Sequence, residues 1–374
     1  MNPLYAPLFE PLTLRSGITL DNRIVVAPMT HYSSRPDGTL TDEELDFIAR
    51  RSGGAGMVIT ACAYIAPGGQ DVAGEPAADR DEMIPELTRW VRVIQAQGTK
   101  AVLQLHHSGR NADPELVPNG DVVGPSAIKD EAGGFVLPRA LAQHEIEELI
   151  RQFGEAARRA VIAGFDGVEI HGAFGLLLQQ FYPPHGNRRS DRWGGSVEKR
   201  LAFPLAVIDE VKKAVARYAD RPFIVGYRFT PEEATTPGLT MGDALHLADV
   251  LAKQELDYIH VLTNDYRSRP RREADVTRTR LELIKEAVGS RTPVIGGGSI
   301  YTADEALEAY ETGIDLISLA RGLVIDPDWI EKVKQGREAD IETTLRADAQ
   351  QRLVIPDPLW RMIWGDPGWF PGTS

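Results

Sequence analysis

A single cysteine, Cys62, occurs in the 374 residues. That count excludes an internal disulfide and any four-cysteine zinc or iron–sulfur site. No apolar run reaches the roughly 20 residues that a membrane-spanning helix needs. Met1-Asn-Pro-Leu-Tyr5 lacks the basic-then-apolar pattern of a secretion signal, so the cytoplasm is the expected compartment. Basic residues are in deficit as well: 41 Lys and Arg face 54 Asp and Glu, for a net charge of −13. Binding to a phosphate backbone needs concentrated positive charge, so neither nucleic acid nor membrane is an expected partner. Short-period repeats and low-complexity segments are missing too. The remaining composition, 43% hydrophobic and 25% charged, is that of an ordinary globular protein whose partner is a small molecule.

What is present is a regular alternation. Apolar runs that read as strands lie at Ile24–Ala27, Met57–Thr60, Ala101–Leu105, Val168–Ile170, Phe223–Arg228, Tyr258–Leu262, Pro293–Ile295 and Asp315–Leu319. Helical signals separate them. Thr41-Asp-Glu-Glu44 is a capping box opening a helix to about Ser52, and Gly53-Gly54 is its stop. A second helix spans about Glu82–Gln97. In 144–163, Ile146, Leu149, Ile150, Phe153 and Ala157 repeat at the helical period. Ser196, Thr240 and Thr302 are further caps, and Thr279–Val288 is another helix.

Eight such units in one chain predict an α/β fold, a closed (β/α)8 TIM barrel, as one domain over residues 1–374. Three additions are expected. A short N-terminal hairpin turns at Arg15-Ser16-Gly17. Residues 108–140, too long for a plain loop and carrying Gly133-Gly134 and Pro138, read as a functional insertion with a hairpin over the site. From about 345 the chain is a tail with Trp360, Trp364 and Trp369 among prolines and glycines. It is expected to be irregular and to dock on its own subunit or a neighbour's, which leaves a homodimer or higher homo-oligomer open.

In such a barrel the residues at the C-terminal strand ends face the active site. They are Pro28-Met29-Thr30 with Tyr32, Cys62, Gln104, His171, Arg228, Gly296-Gly297-Gly298 and Ala320-Arg321. Loops after the seventh and eighth strands commonly bind phosphate; the glycines allow close backbone approach and Arg321 supplies a bidentate cation. Gln104 offers a donor and an acceptor suited to the amide edge of a heterocycle. Arg228 would stabilise an anion deep in the mouth. Cys62 reads more readily as a small buried hydrophobe than as a functional group. His106 and His107 have no carboxylate or cysteine at metal-ligand spacing, so no metal is expected.

Ala27-Pro28-Met29-Thr30-His31-Tyr32-Ser33, Gln104-Leu-His-His107-Ser-Gly-Arg110 and Glu169-Ile-His171-Gly-Ala173 resemble the old yellow enzyme family. So do Asn187-x-Arg189-x-Asp191-x-x-Gly194-Gly195-Ser196 and the Arg321 segment, in matching order along nearly the whole chain. The chain is most similar to the bacterial NADH:flavin oxidoreductase branch. The resemblance implies bound FMN, contacted by Pro28, Met29, Thr30, Cys62, Gln104, His171, Arg228, Gly298, Ala320 and Arg321. It implies NADH or NADPH as hydride donor and an activated alkene as acceptor, with His171, Tyr32 and Thr30 as catalytic residues and Tyr32, His171 and Phe174 at the substrate.

One departure stands out. The family's paired polar residues are His-x-x-His or His-x-x-Asn; here the segment is His171-Gly-Ala-Phe174, and Leu176 replaces the usual proton-donating tyrosine. Tyr32, His31 or water then remain as proton sources. An ene-reductase with an altered carbonyl pocket is the leading expectation. An NAD(P)H oxidase or quinone-type flavin reductase, and a non-catalytic flavin- or small-molecule-binding protein, are the rivals.

Overall fold

The computed structural model describes residues 1–129, 135–272 and 274–373. Its centre is a closed barrel of eight parallel strands: β1 (Ile24–Val26), β2 (Met57–Tyr64), β3 (Lys100–His106), β4 (Gly167–Gly172), β5 (Ile224–Phe229), β6 (Tyr258–Val261), β7 (Val294–Gly297) and β8 (Leu316–Leu319). Each strand pairs with its successor in sequence, and β8 closes on β1. The helices that return the chain are α1 (Asp42–Ser52), α2 (Ile84–Gln95), α3 (Gln143–Ala163), α4 (Val197–Tyr218), α5 (Met241–Leu251), α6 (Arg280–Val288) and α7 (Ala303–Glu311). Strands covered on both faces carry near-continuous apolar runs rather than alternation, as the sequence shows. Among the described residues no helix is long and apolar enough to cross a membrane.

Helix starts follow the side-chain chemistry. Thr41, Ser196, Thr240, Thr279 and Thr302 each accept a backbone N–H of the first turn through the hydroxyl. This satisfies donors that the helix itself cannot.

The barrel bottom uses a repeated device. Asp166, just before β4, accepts the N–H of Ala101 in β3 at 2.9 Å. Asp257, before β6, accepts Val225 N–H in β5 at 2.8 Å, and Asp315, before β8, accepts Val294 N–H in β7 at 2.8 Å. Asn22, ahead of β1, accepts Gly56 N–H at 3.0 Å. Each pins the start of a neighbouring strand. Below them the hairpin Leu12–Thr13/Thr19–Leu20 plugs the barrel: Leu14 and Leu20 are buried with Val25, Met57, Ile224 and Tyr258, and Ser16 N–H donates to Asp257 at 2.7 Å.

Three features differ from the sequence expectation. β2 continues to Tyr64, and a β-bulge between Ile59 and Cys62 inserts one residue, which brings Cys62 opposite Gln104. In the insertion, Val123–Gly124 and Arg139–Ala140 pair in parallel, so they do not form a hairpin, and Gly133-Gly134 lie outside the described residues. Arg189 holds this segment by donating to the carbonyls of Pro125 and Leu141, which gives the Asn187–Gly195 loop a scaffolding task. The tail contains a regular helix, Asp357–Gly365, that carries Trp360 and Trp364. Pro356 and Pro358 do not prevent it, because prolines at a helix start lack only N–H groups that have no intrahelical partner. The tail docks on its own chain: Leu359 and Ile363 of the helix, and Phe370 beyond it, are buried with Phe47, Val324 and Ile325.

Replacing Asp166 by Ala leaves the buried N–H of Ala101 unpaired and removes the contacts of Arg221 and Gln95 to the same carboxylate. Urea unfolding should show a loss of about 2 kcal/mol. Ligand content per folded chain should stay at the wild-type level. A loss near zero would show that water takes over the carboxylate's task.

Candidate active site

A cavity of about 760 Å³ opens at the C-terminal ends of the strands, within the usual size of a cofactor site. The site residues expected from the sequence line it, except Gly296, which faces Leu281 and Ile314, and His31. Pro28, Met29, Thr30 and Tyr32 come from the segment after β1, and Cys62 from the bulged end of β2. Gln104, His171 and Arg228 project from β3, β4 and β5. Gly298, Ala320 and Arg321 follow β7 and β8, and Phe174 stands at the rim, 63% exposed. His31 is the exception among the candidate proton sources: it does not line this cavity, sits against Phe47, and lies 3.3 Å from Glu44.

Beneath the cavity lies a buried polar network centred on Glu169. Its carboxylate accepts Gln104 Nε2 at 2.5 Å and lies 2.9 Å from His260 Nδ1. Burial alone would raise its pKa, but His260, Arg228 and Gln104 together hold it below the usual carboxylate range. Because the amide nitrogen of Gln104 is committed to Glu169, its carbonyl oxygen remains as an acceptor for the cavity. Arg228 is buried, and its Nε has no hydrogen-bond partner. Burial pulls its pKa down, opposed by Glu169. A desolvated guanidinium N–H without an acceptor is costly unless a ligand supplies one.

His171 is neutral. Burial, then Arg228, His106 and His260, push its pKa well below the ordinary value. Ala173 N–H donates to its Nδ1 at 3.2 Å, which fixes the tautomer with the proton on Nε2. Phe174, three residues on, adopts φ +62° while its N–H donates to Thr230 Oγ1 at 3.0 Å. Tyr32 (φ +57°) and Ser299 (φ +51°) also line the cavity in this left-handed region, which non-glycine residues seldom adopt. Burial, then Glu75, raises the pKa of Tyr32 and keeps its phenol protonated.

The glycine–arginine corner is built tightly. Gly298 has φ +108°, and a Cβ there would meet the carbonyl oxygen of Thr263 at 2.3 Å. Arg321 donates to Trp369 O at 2.8 Å and to Ser299 Oγ at 2.9 Å, tying the tail to this corner.

Sequence reasoning missed several lining groups: Asp71 and Glu75 after β2, Thr263–Asp265 after β6, and Asp366–Trp369 of the tail. It also missed a cluster behind the wall. His106 does have a cysteine and a carboxylate beside it, since Cys62 and Glu75 approach it from another strand and its loop. Spacing along the chain gave no signal because the three are brought together only by strand pairing and the bulge.

A model of the NADH:flavin oxidoreductase / NADH oxidase family matches residues 7–340. The chain belongs to this family. It is 53% identical over 371 residues to the "probable NADH-dependent flavin oxidoreductase YqiG" of Bacillus subtilis (strain 168), covering 99% of each chain. It is 39% identical over 360 residues to the NADH:fumarate oxidoreductase of Klebsiella pneumoniae (strain 342), covering 95% of this chain but 38% of that longer protein. The old yellow enzyme from Trypanosoma cruzi has the same fold, with a TM-score of 0.75 and 27% identity over 89% of this chain and 93% of that one. The chain is thus an NAD(P)H-dependent flavin oxidoreductase of the old yellow enzyme kind, with FMN as its flavin.

The residues present fit that cofactor. The unpartnered guanidinium N–H of Arg228 suits an electron-rich ring edge, the free acceptor of Gln104 suits an imide N–H, and Gly298 leaves its backbone clear for close approach. Replacing Arg228 by Met should stabilise the flavin-stripped protein by about 1–3 kcal/mol, because the desolvation of a buried guanidinium with an unpartnered Nε–H outweighs its attraction to Glu169. In the loaded enzyme the same change should lower the flavin's reduction potential and slow its reduction by NAD(P)H. A stripped variant no more stable than wild type would show that the guanidinium is adequately solvated without a ligand.

Proposed function

We propose that the chain reduces the carbon–carbon double bond of α,β-unsaturated carbonyl compounds, unsaturated acids included, working in the cytoplasm as one FMN-binding domain over residues 1–374. The observation that carries this reading is His171: a neutral, buried imidazole at the cavity wall whose tautomer leaves an N–H to donate. Bound FMN would supply the hydride chemistry, between NADH or NADPH and an electrophilic carbon. Pro28, Met29, Thr30, Cys62, Gln104, Gly298, Ala320 and Arg321 would hold it, with phosphate at the Gly298–Arg321 corner.

The chain's own groups supply the rest. His171 donates to the substrate's carbonyl or carboxylate oxygen, which withdraws electrons from the double bond and stabilises the negative charge that develops there. Arg228 would supply positive charge to the electron-rich edge of the reduced flavin. Tyr32, whose phenol stays protonated, delivers a proton to the α-carbon, the task that Leu176 cannot perform. The fumarate-reducing relative supports acids among the substrates.

Phe174 leaves the oxygen held on one side. Simple cyclic enones should therefore be reduced slowly, while the NAD(P)H half-reaction stays comparatively intact. Asn tolerates the left-handed backbone at position 174 better than Phe does and adds a donor. Phe174→Asn should raise the rate at which cyclohexenone reoxidises the reduced enzyme by about tenfold or more, measured anaerobically by stopped flow. Tyr32→Phe should lower it. Enone rates indifferent to both changes, with fast reoxidation by oxygen or a quinone, would favour an NAD(P)H oxidase or quinone reductase instead.

A further inference from the structure

The proposed reaction leaves the buried Glu75 and His106 without a task, and they stand beside Cys62, one of the residues proposed to border the flavin. The chain's sole thiol, a carboxylate and an imidazole bring one ligand atom each within 4.8 Å of one another. Cys62 Sγ lies 3.7 Å from Glu75 Oε1, and His106 Nε2 lies 3.5 Å from Glu75 Oε2. Cys62 and Glu75 line the cavity, and His106 stands behind them, fully buried, 6.4 Å from His171 between ring centres.

The His106–Glu75 ion pair is a loose one, although Cys62 and Glu75 still hold the His106 pKa well above its ordinary value against the effect of burial. The same barrel holds a second fully buried His–Glu pair, His260 and Glu169, which closes to 2.9 Å. His106 stops at 3.5 Å from its carboxylate, and neither of its ring nitrogens has a hydrogen-bond partner. A carboxylate at that range only partly compensates the burial of the imidazole. A tetrahedral ion with bonds of about 2.0–2.3 Å would space its ligand atoms about 3.3–3.6 Å apart, so this set, lying within 4.8 Å, would have to close by no more than about 1.5 Å to hold one.

We infer that Cys62, Glu75 and His106 form a binding site for a divalent transition-metal ion of the zinc class. Thiolate, imidazole and carboxylate are the ligand types such ions prefer. One thiolate and one carboxylate neutralise a divalent ion, so the buried complex carries no net charge. The β2 bulge makes the site possible, since it brings Cys62 opposite Gln104, two residues before His106. Three protein ligands leave a fourth position, and two of the three line the cavity. That position takes water in the resting enzyme and an oxygen of an unsaturated acid when one is bound. This last point rests on the proposed reaction; the ion itself does not.

The test uses the flavin-loaded enzyme purified without chelator. Elemental analysis should give close to one zinc ion per chain, falling at least tenfold in His106→Leu and in Glu75→Gln. Melting temperature and flavin content of each variant show whether it has folded. Because the chain has one cysteine, titrating that thiol with a mercurial should release one equivalent of zinc for each thiol modified. Cobalt in place of zinc should give tetrahedral d–d bands to the red of the flavin absorption, and fumarate should shift them. Wild-type enzyme that holds less than about a tenth of an ion per chain, and takes up neither zinc nor cobalt at micromolar concentration, would overturn the site. Folded variants that keep their zinc would overturn it equally. Cobalt bands that ignore fumarate would reject the open position. Metal content is read without substrate, so a failed alkene assay counts against the proposed reaction alone.

Discussion

A carboxylate buried without access to water, Glu169, is the constraint on which the cavity depends. It sits inside the barrel on β4 and draws partners from both sides, Gln104 on β3 and His260 on β6. A charge in that position is tolerable only while those contacts persist. They in turn settle which end of the Gln104 amide faces the cavity. The positive charge of Arg228 on β5 is kept near the same point. The electrostatic character of the cavity is therefore set from below, by a residue that does not line it.

The strain at the top has a complementary origin. Tyr32, Phe174 and Ser299 all hold left-handed backbone beside the cavity, Phe174 and Ser299 just past the ends of β4 and β7 and Tyr32 in the longer segment after β1. Phe174 is held by Thr230 from the loop after β5, and Ser299 by its bonds to Asn264 and Arg321. The barrel is stiff enough to impose such conformations, and they aim side chains that a relaxed turn would point elsewhere.

Much of this was legible in the sequence because it depends on local signals. Four helix caps were readable from Thr41, Ser196, Thr240 and Thr302, and the strands between them from continuous apolar runs. Once eight such strands are closed in order, the positions at their ends must converge, so Gln104, His171, Arg228 and Arg321 could be assigned to one cavity before any contact was known. What stayed hidden depends on contacts distant in the chain. The one-residue bulge before Cys62 leaves no mark in the apolar run Met57-Val-Ile-Thr-Ala-Cys62. The meeting of Cys62, Glu75 and His106 depends on it. The tail misled for another reason: Pro356 and Pro358 read as helix breakers, yet at a helix start they cost nothing. The parallel pairing of Val123 with Arg139 escaped because two-residue strands carry no period to detect.

The bond from Arg321 to the carbonyl of Trp369 places an indole from the last residues of the chain in the cavity wall. An indole excited near a yellow chromophore passes its energy on instead of emitting it. The chain therefore carries its own optical gauge. Loading and loss of the flavin should appear as dimming and recovery of ultraviolet emission, and any rearrangement of the tail during turnover should register in the same signal with no attached label.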